Sequence, residues 1–287
     1  MSSAQSRALA NVAKRGFYTT STESSSGVIT GDYPGPITPI SVPVLLQHRP
    51  VSGLFGHMMI ELSTSDGKRE ILEARSRLNV SSIGRQTIWD FQFTELGTHQ
   101  GRDSSENPPL VQVRMLFSDQ GIGTDVDIDF PYYRQIGAKD IPAKGSKEHK
   151  EIEKLVRNLS PALPQSAIRT GDLLFTPKQW SELIHLQFDA LPNELTSDRL
   201  SVRVNTLRTE VMGTAWERGR QKVVGSHLGA LEMGSSDLVI TVTQTGFVLI
   251  DLLTAQRTRE VGQIHYAIRK GDKRVSMTFT MRSTQSF

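Results

Sequence analysis

A mainly β fold, of β-sandwich or jelly-roll type with two short helices packed on the sheet, is what this sequence predicts, and three observations carry it. Apolar residues recur at every second position in Met58, Ile60 and Leu62, in Trp89, Phe91 and Phe93, and in Val111, Val113, Met115 and Phe117. That period of two marks half-buried strands, whose side chains alternate between the faces of a sheet. The same alternation returns near the carboxy terminus in Ile264, Tyr266 and Ile268 and in Val275, Met277, Phe279 and Met281. Beyond the first turns of the amino-terminal arm, helical spacing is confined to two segments, about 147–158 and 177–191.

Taken in order, residues 1–40 form an arm rich in Ser, Thr, Gly and Pro, a composition that buries too little apolar surface to offset its ordering entropy. Its first turns place Leu9, Val12 and Ala13 on one helical face and Arg7, Asn11, Lys14 and Arg15 on the other, with no acid before Glu23. That is the physical description of a mitochondrial presequence, and equally of a basic arm that stays on the protein. A β domain is expected over 41–138. It opens with an edge strand at Ile40–Leu46, where prolines remove ladder donors. In Asp125–Phe130, Val126, Ile128 and Phe130 alternate with three aspartates, which predicts a strand with an acidic outer face. The calcium-loop reading fails, because Phe130 and Ile136 stand where an EF-hand loop needs Gly and Glu.

A linker with helices is expected over 139–192. In its first helix Ile152, Leu155, Val156 and Leu159 share a face; the second opens on Thr176-Pro-Lys-Gln179, a capping box with proline at the first helical position. Trp180, Leu183, Ile184 and Phe188 then continue an apolar stripe. A second β region over 193–287 is expected to pack with the first. Hairpins are predicted at Gln244-Thr-Gly246 and at Lys270-Gly-Asp-Lys273, with a basic loop at Trp216–Lys222.

Composition bounds the chemistry. The 287 residues contain no cysteine, which removes disulfides, thiolate metal sites and thiol nucleophiles. No nucleophile elbow, zinc-protease helix or phosphate-binding loop is present, and the seven histidines lack metal-ligand spacing, so the expectation is a protein that is not an enzyme and needs no cofactor or metal. The formal charge of +3 is unevenly spread, with 13 Lys and Arg against 8 Asp and Glu from Leu195 to Phe287. Basic side chains beside aromatics suit a single-stranded nucleic acid through phosphate contacts and stacking. Lys68, Arg69, Arg218, Arg220, Lys222, Arg269, Lys270, Lys273 and Arg274 are the candidates, with Trp216 as a stacking platform.

The succession of Gly56-His-Met-Met-Ile-Glu-Leu62, the turn Asp66-Gly-Lys-Arg69, a strand near Ile71–Leu78, Trp89-Asp-Phe-Gln-Phe93 and the proline-led Pro109–Phe117 resembles the core of the plant-virus 30-kilodalton movement proteins. The resemblance implies a jelly-roll-like, non-enzymatic viral protein that binds single-stranded RNA or DNA without sequence preference. It implies a place in the host-cell cytoplasm, cell periphery or plasmodesmata. Self-association and peripheral membrane contact are the further expectations. Two alternatives fit the same composition: a viral matrix-like protein binding membrane and nucleocapsid, and an imported mitochondrial protein of a ribonucleoprotein.

Overall fold

The computed structural model describes residues 35–46, 49, 51–64, 67, 69–84, 86–96, 99–100, 108–118, 123–138, 141–147, 149–150, 153, 164, 166–180 and 200–286. The chain is mainly β. Its strands are β1 (Leu54–Thr64), β2 (Arg69–Ile83), β3 (Gln86–Leu96), β4 (His99–Gln100), β5 (Val111–Phe117), β6 (Gly123–Asp129), β7 (Leu173–Phe175), β8 (Ser201–Asn205), β9 (Arg208–Glu217), β10 (Arg220–Gly234), β11 (Leu238–Asp251), β12 (Arg257–Lys270) and β13 (Lys273–Ser286), with helix α1 at Pro131–Gln135.

The expected sandwich needs two sheets, whereas these strands join in one open antiparallel sheet of order β6-β5-β3-β2-β1-β13-β12-β11-β10-β9-β7, with β4 on β3 and β8 on β10. The physical reason is the pairing of the first strand with the last. Met58 stands opposite Ser283 and Ile60 opposite Met281, so the two β regions are halves of one ladder. Each half is a meander of sequential neighbours, the arrangement that short antiparallel connections favour.

Alternation then sorts the side chains. In β5 the burial follows the period of two, with Val111, Val113, Met115 and Phe117 buried and Arg114 exposed. One core, at the amino-terminal end of the sheet, gathers those residues with Val126, Ile128, Phe130 and Tyr133. A larger one, at the other end, joins Phe175, Trp180, Leu231, Met233, Ile240, Val242 and Tyr266. A third lies on the opposite face, around Val224, Phe247, Leu249 and Val261. The aspartates of β6 face away from its core: Asp127 pairs with Lys144 at 2.7 Å and Asp129 pairs with Arg134. Acid on the outermost strand discourages edge-to-edge pairing.

Three local expectations are corrected. Residues 40–46 form no strand but a strap held by isolated bridges, Thr38 to Thr214 and Val44 to Ile168. With Pro39 and Pro43 lacking N–H donors, only single contacts form, and Ile40 and Leu46 are buried instead. The strap requires Gly213, because a Cβ there would lie 2.4 Å from the Thr38 carbonyl oxygen. At Gln244-Thr-Gly246 the chain does not turn: β11 runs straight through. Gly246, at φ 140°, is there for close approach, since a Cβ would stand 2.1 Å from the carbonyl oxygen of Val261 on β12. Trp216–Lys222 is not a loop but the end of a β9–β10 hairpin that turns at Arg218 and Gly219.

The capping box forms as read. The Thr176 amide donates to Gln179 Oε1 at 2.7 Å, and the Gln179 amide donates to Thr176 Oγ1 at 3.4 Å. Residues 177–180 are helical, whereas Leu183, Ile184 and Phe188 lie outside the described residues, as do Ile152, Leu155, Val156 and Leu159. Thr176→Ala is expected to lower stability by about 0.5–2 kcal/mol by orphaning a first-turn amide. Chemical denaturation measures it, and an unchanged midpoint would show that the cap contributes nothing.

Candidate functional site

The basic residues singled out in the sequence separate into two groups at opposite ends of the sheet. Arg269, Lys270, Lys273 and Arg274 are exposed on the β12–β13 hairpin, and Arg69 opens β2 at that same end; Lys68 lies outside the described residues. On this hairpin Arg269 faces Arg274 and Lys270 faces Lys273 across the ladder, so like charges oppose each other and favour wide solvation. Trp216, Arg218, Arg220 and Lys222 occupy the other end, because β10, β11 and β12 run between the two. The 14 residues of β12 at about 3.3 Å each put the ends roughly 40 Å apart. No single surface unites them.

At that second end, Lys222 is not a surface cation at all. It is 5% exposed, and its Nζ donates to Asp251 Oδ2 at 2.7 Å. Asp251 Oδ1 accepts from the amides of Leu253 and Thr254 and from the Thr254 hydroxyl. Burial acts to raise the Asp251 pKa. The Lys222 hydrogen bond and charge, with the two amides, outweigh it and hold the carboxyl below its ordinary value. Trp216, by contrast, is 71% exposed and covers no core.

The face that carries the two main cores is largely apolar, with Ser283 opposite Met58 among its polar exceptions. Register places Trp89 and Val80 in one cross-strand row; Met58 and Ala74 in another; and Ile60, Met281 and Gly262 in a third. On the strands between the two cores, Met58, Ile60 and Met281 are half-buried and belong to neither cluster, while Ile264 and Phe279, also half-buried, pack against the larger one. A half-exposed apolar strip on strands β1, β12 and β13 results. Its methionines are unbranched and polarizable, so they adapt to apolar groups of varied shape.

One polar network is set into the same face. The Trp180 indole N–H donates to Thr209 Oγ1 at 3.0 Å, leaving the Thr209 hydroxyl to donate to His227 Nδ1 at 2.9 Å. His227 Nε2 then points to Glu260 Oε1 at 3.3 Å, and Arg257 lies 3.6 Å from the other Glu260 oxygen. This donor order fits the imidazole tautomer protonated at Nε2. The glycines opposite His227 and next beyond it, Gly246 and Gly262, carry no side chain, which lets the imidazole reach across β11 to β12. Burial raises the Glu260 pKa, but the neighbouring His227 and Arg257 outweigh it and leave the carboxyl below its ordinary value. Hydroxyl, imidazole and carboxylate in line resemble a hydrolytic triad, yet Thr209 is fully buried and no substrate carbonyl reaches its oxygen. The network instead fastens the helix at 177–180 to the sheet.

Among the described residues no group of three or more His, Asp or Glu is placed to hold a metal ion, and no helix is long and apolar enough to cross a membrane. The fold and these sites define a mainly β protein with one open antiparallel sheet. No family model matches the chain, and no curated protein matches it. Among solved structures it is similar to a LolA-superfamily protein from Nitrosomonas europaea, at 9% identity and TM-score 0.18, covering 84% of this chain and 86% of that one. It is also similar to a DUF1329-family protein from Desulfovibrio piger, at 9% identity and TM-score 0.23, covering 82% and 84%.

The expectation of a viral protein carrying single-stranded nucleic acid is corrected here. The basic residues that would hold the strand are split between two distant ends of the sheet, and one of them, Lys222, is buried in an ion pair with Asp251. The viral matrix alternative goes with it, and so does the imported ribonucleoprotein. The presequence reading itself falls on residues outside those described. Glu260, His227, Asp251 and the half-exposed strip escaped the sequence reading. The strip's alternation was visible, but its place between two cores depends on the β1–β13 pairing.

Proposed function

We propose that the protein is a non-enzymatic binder of acyl chains, with the apolar part of an amphiphile lying along Met58, Ile60, Phe279 and Met281. The observation that carries this reading is the half-buried state of these side chains between two well-buried cores on one face. A monomeric sheet ordinarily covers such a strip, and an apolar strip left partly open suits a ligand that arrives and leaves. The methionines favour tolerance of chain length over recognition of one shape. Covering the strip stabilises a bound chain by about 25 cal/mol for each Å² of apolar surface removed from water.

The test is titration with a fluorescent fatty acid whose emission rises in apolar surroundings. Saturable binding by the wild type is expected, with at least about a tenfold loss in the double variant Met58→Glu, Met281→Glu, because a carboxylate on the strip must be desolvated when the chain binds. Unchanged far-ultraviolet circular dichroism establishes that the variant is folded. Absence of saturable binding by the wild type, or equal binding by the folded variant, would overturn the reading.

A further inference from the structure

At the end of the sheet where β9 turns into β10, a cleft of about 230 Å³ opens among the ends of six strands. It is smaller than the roughly 300–1,000 Å³ that drug-sized ligands occupy, so it suits a compact group. Its charged lining is Arg218, Arg220, Lys222 and Arg259 against Glu217 and Asp251. Two of the cations are matched inside the protein: Lys222 by Asp251 at 2.7 Å and Arg259 by Glu217 at 3.1 Å. Arg220 approaches the already paired Asp251 at 3.7 Å, so the carboxylate is shared and the positive excess stays with the hairpin tip.

That tip is built at a cost. Arg218 adopts φ 51° and Gly219 φ 73°, the left-handed pair of a tight two-residue hairpin turn. The first of these positions prefers Asn, Asp or Gly, and an arginine gives up backbone stability there. What it adds is a second planar fork of N–H donors two positions from Arg220. Thr284 and Ser286 line the same cleft, and a hydroxyl side chain is a neutral donor. Lys222, paired with Asp251, forms part of the floor without adding net charge.

We propose that this cleft binds a phosphate monoester, with Arg218 and Arg220 as the paired forks on its oxygens and the hydroxyls of Thr284 and Ser286 as further donors. Two guanidinium groups lining one cleft match a tetrahedral dianion better than a carboxylate, because they donate along several directions at once. The site stands apart from the acyl-chain strip: Lys222, Asp251 and Arg259 alternate with Val223, Ile250 and Ile264's face, and so project from the opposite side of the sheet.

The test uses the full chain and two sources of the same chemistry. Calorimetry with glycerol 3-phosphate reads a soluble ester, and co-sedimentation with phosphatidylcholine vesicles containing phosphatidic acid reads a lipid headgroup. Both are repeated on Arg218→Asn with Arg220→Gln, where asparagine tolerates the positive φ and the turn is kept. Saturable wild-type binding of either source, weakened at least about tenfold in the double variant, supports the site and names its source. If the folded wild type binds neither, or if the variant binds as well as the wild type, the proposal is overturned. Loss of fatty-acid binding in the strip variant would leave this result untouched, so the two readings fail separately.

Discussion

Asp251→Ala is expected to lower stability by about 3–5 kcal/mol, because it leaves the buried Lys222 ammonium without its partner. The side chains of the pair are 6% and 2% exposed, so solvent cannot replace what is removed. Alanine also orphans the amides of Leu253 and Thr254, which turn the chain out of β11. With total stability of a domain at about 5–15 kcal/mol, such a loss is visible as a large drop in denaturation midpoint. The double variant Lys222→Met, Asp251→Leu separates desolvation from charge: it should recover the part of the loss due to the unpaired ammonium, since an apolar pair costs no buried charge, while the Leu253 and Thr254 amides stay orphaned. A lowered carboxyl pKa also fixes the pH dependence. Asp251 stabilises above its unfolded value of 3.8, and this contribution is lost as pH falls through the still lower folded value; Glu260 adds in the same direction. The melting temperature of the wild type should therefore fall more steeply below about pH 4 than that of the apolar double variant. A loss under 1 kcal/mol for Asp251→Ala, or parallel acid profiles, would show that the pair is solvated.

How far the fold could be read depended on how local its causes were. Val111 to Phe117 and the hairpin at Lys270–Lys273 were legible because alternation and turn residues are written in adjacent positions. The capping box at Thr176 was legible for the same reason. Gly246 misled, since a glycine that ends a strand and one that admits a neighbouring backbone look alike in sequence. Ile40–Leu46 misled because its apolar residues do alternate, while its prolines left it bridges and no ladder.

The candidate sites were less legible, because each is assembled across strands. Lys222 stands in the sequence as one basic candidate among several, and nothing near it announces Asp251, which stands directly opposite on β11. Arg259 and Glu217 meet in the same way across 42 residues. The pairing of β1 with β13 decides both the absence of a sandwich and the position of the apolar strip. It joins residues more than 200 positions apart, and only the complementarity of two whole strands encodes it.

Trp180→Ala is expected to cost about 3–5 kcal/mol, the range for emptying a buried aromatic site. The indole is 9% exposed, packs edge-on to Phe175 and His227 at centroid separations of 6.4 and 5.4 Å, and lies in the larger core. Its N–H also begins the chain through Thr209 and His227 to Glu260, so truncation removes packing and a buried donor together. Trp180→Phe divides these contributions. It keeps most of the ring volume and loses the donor, for which about 0.5–1.5 kcal/mol is expected, the net worth of one hydrogen bond. In the double variant with Thr209→Val the donor and its acceptor are both absent, and the two changes should be less than additive by a comparable amount. Urea denaturation of the four proteins measures the cycle. Additive losses would mean that the indole bond contributes nothing, and a Trp180→Ala loss below about 1 kcal/mol would mean that the helix at 177–180 is not anchored to the sheet by this side chain.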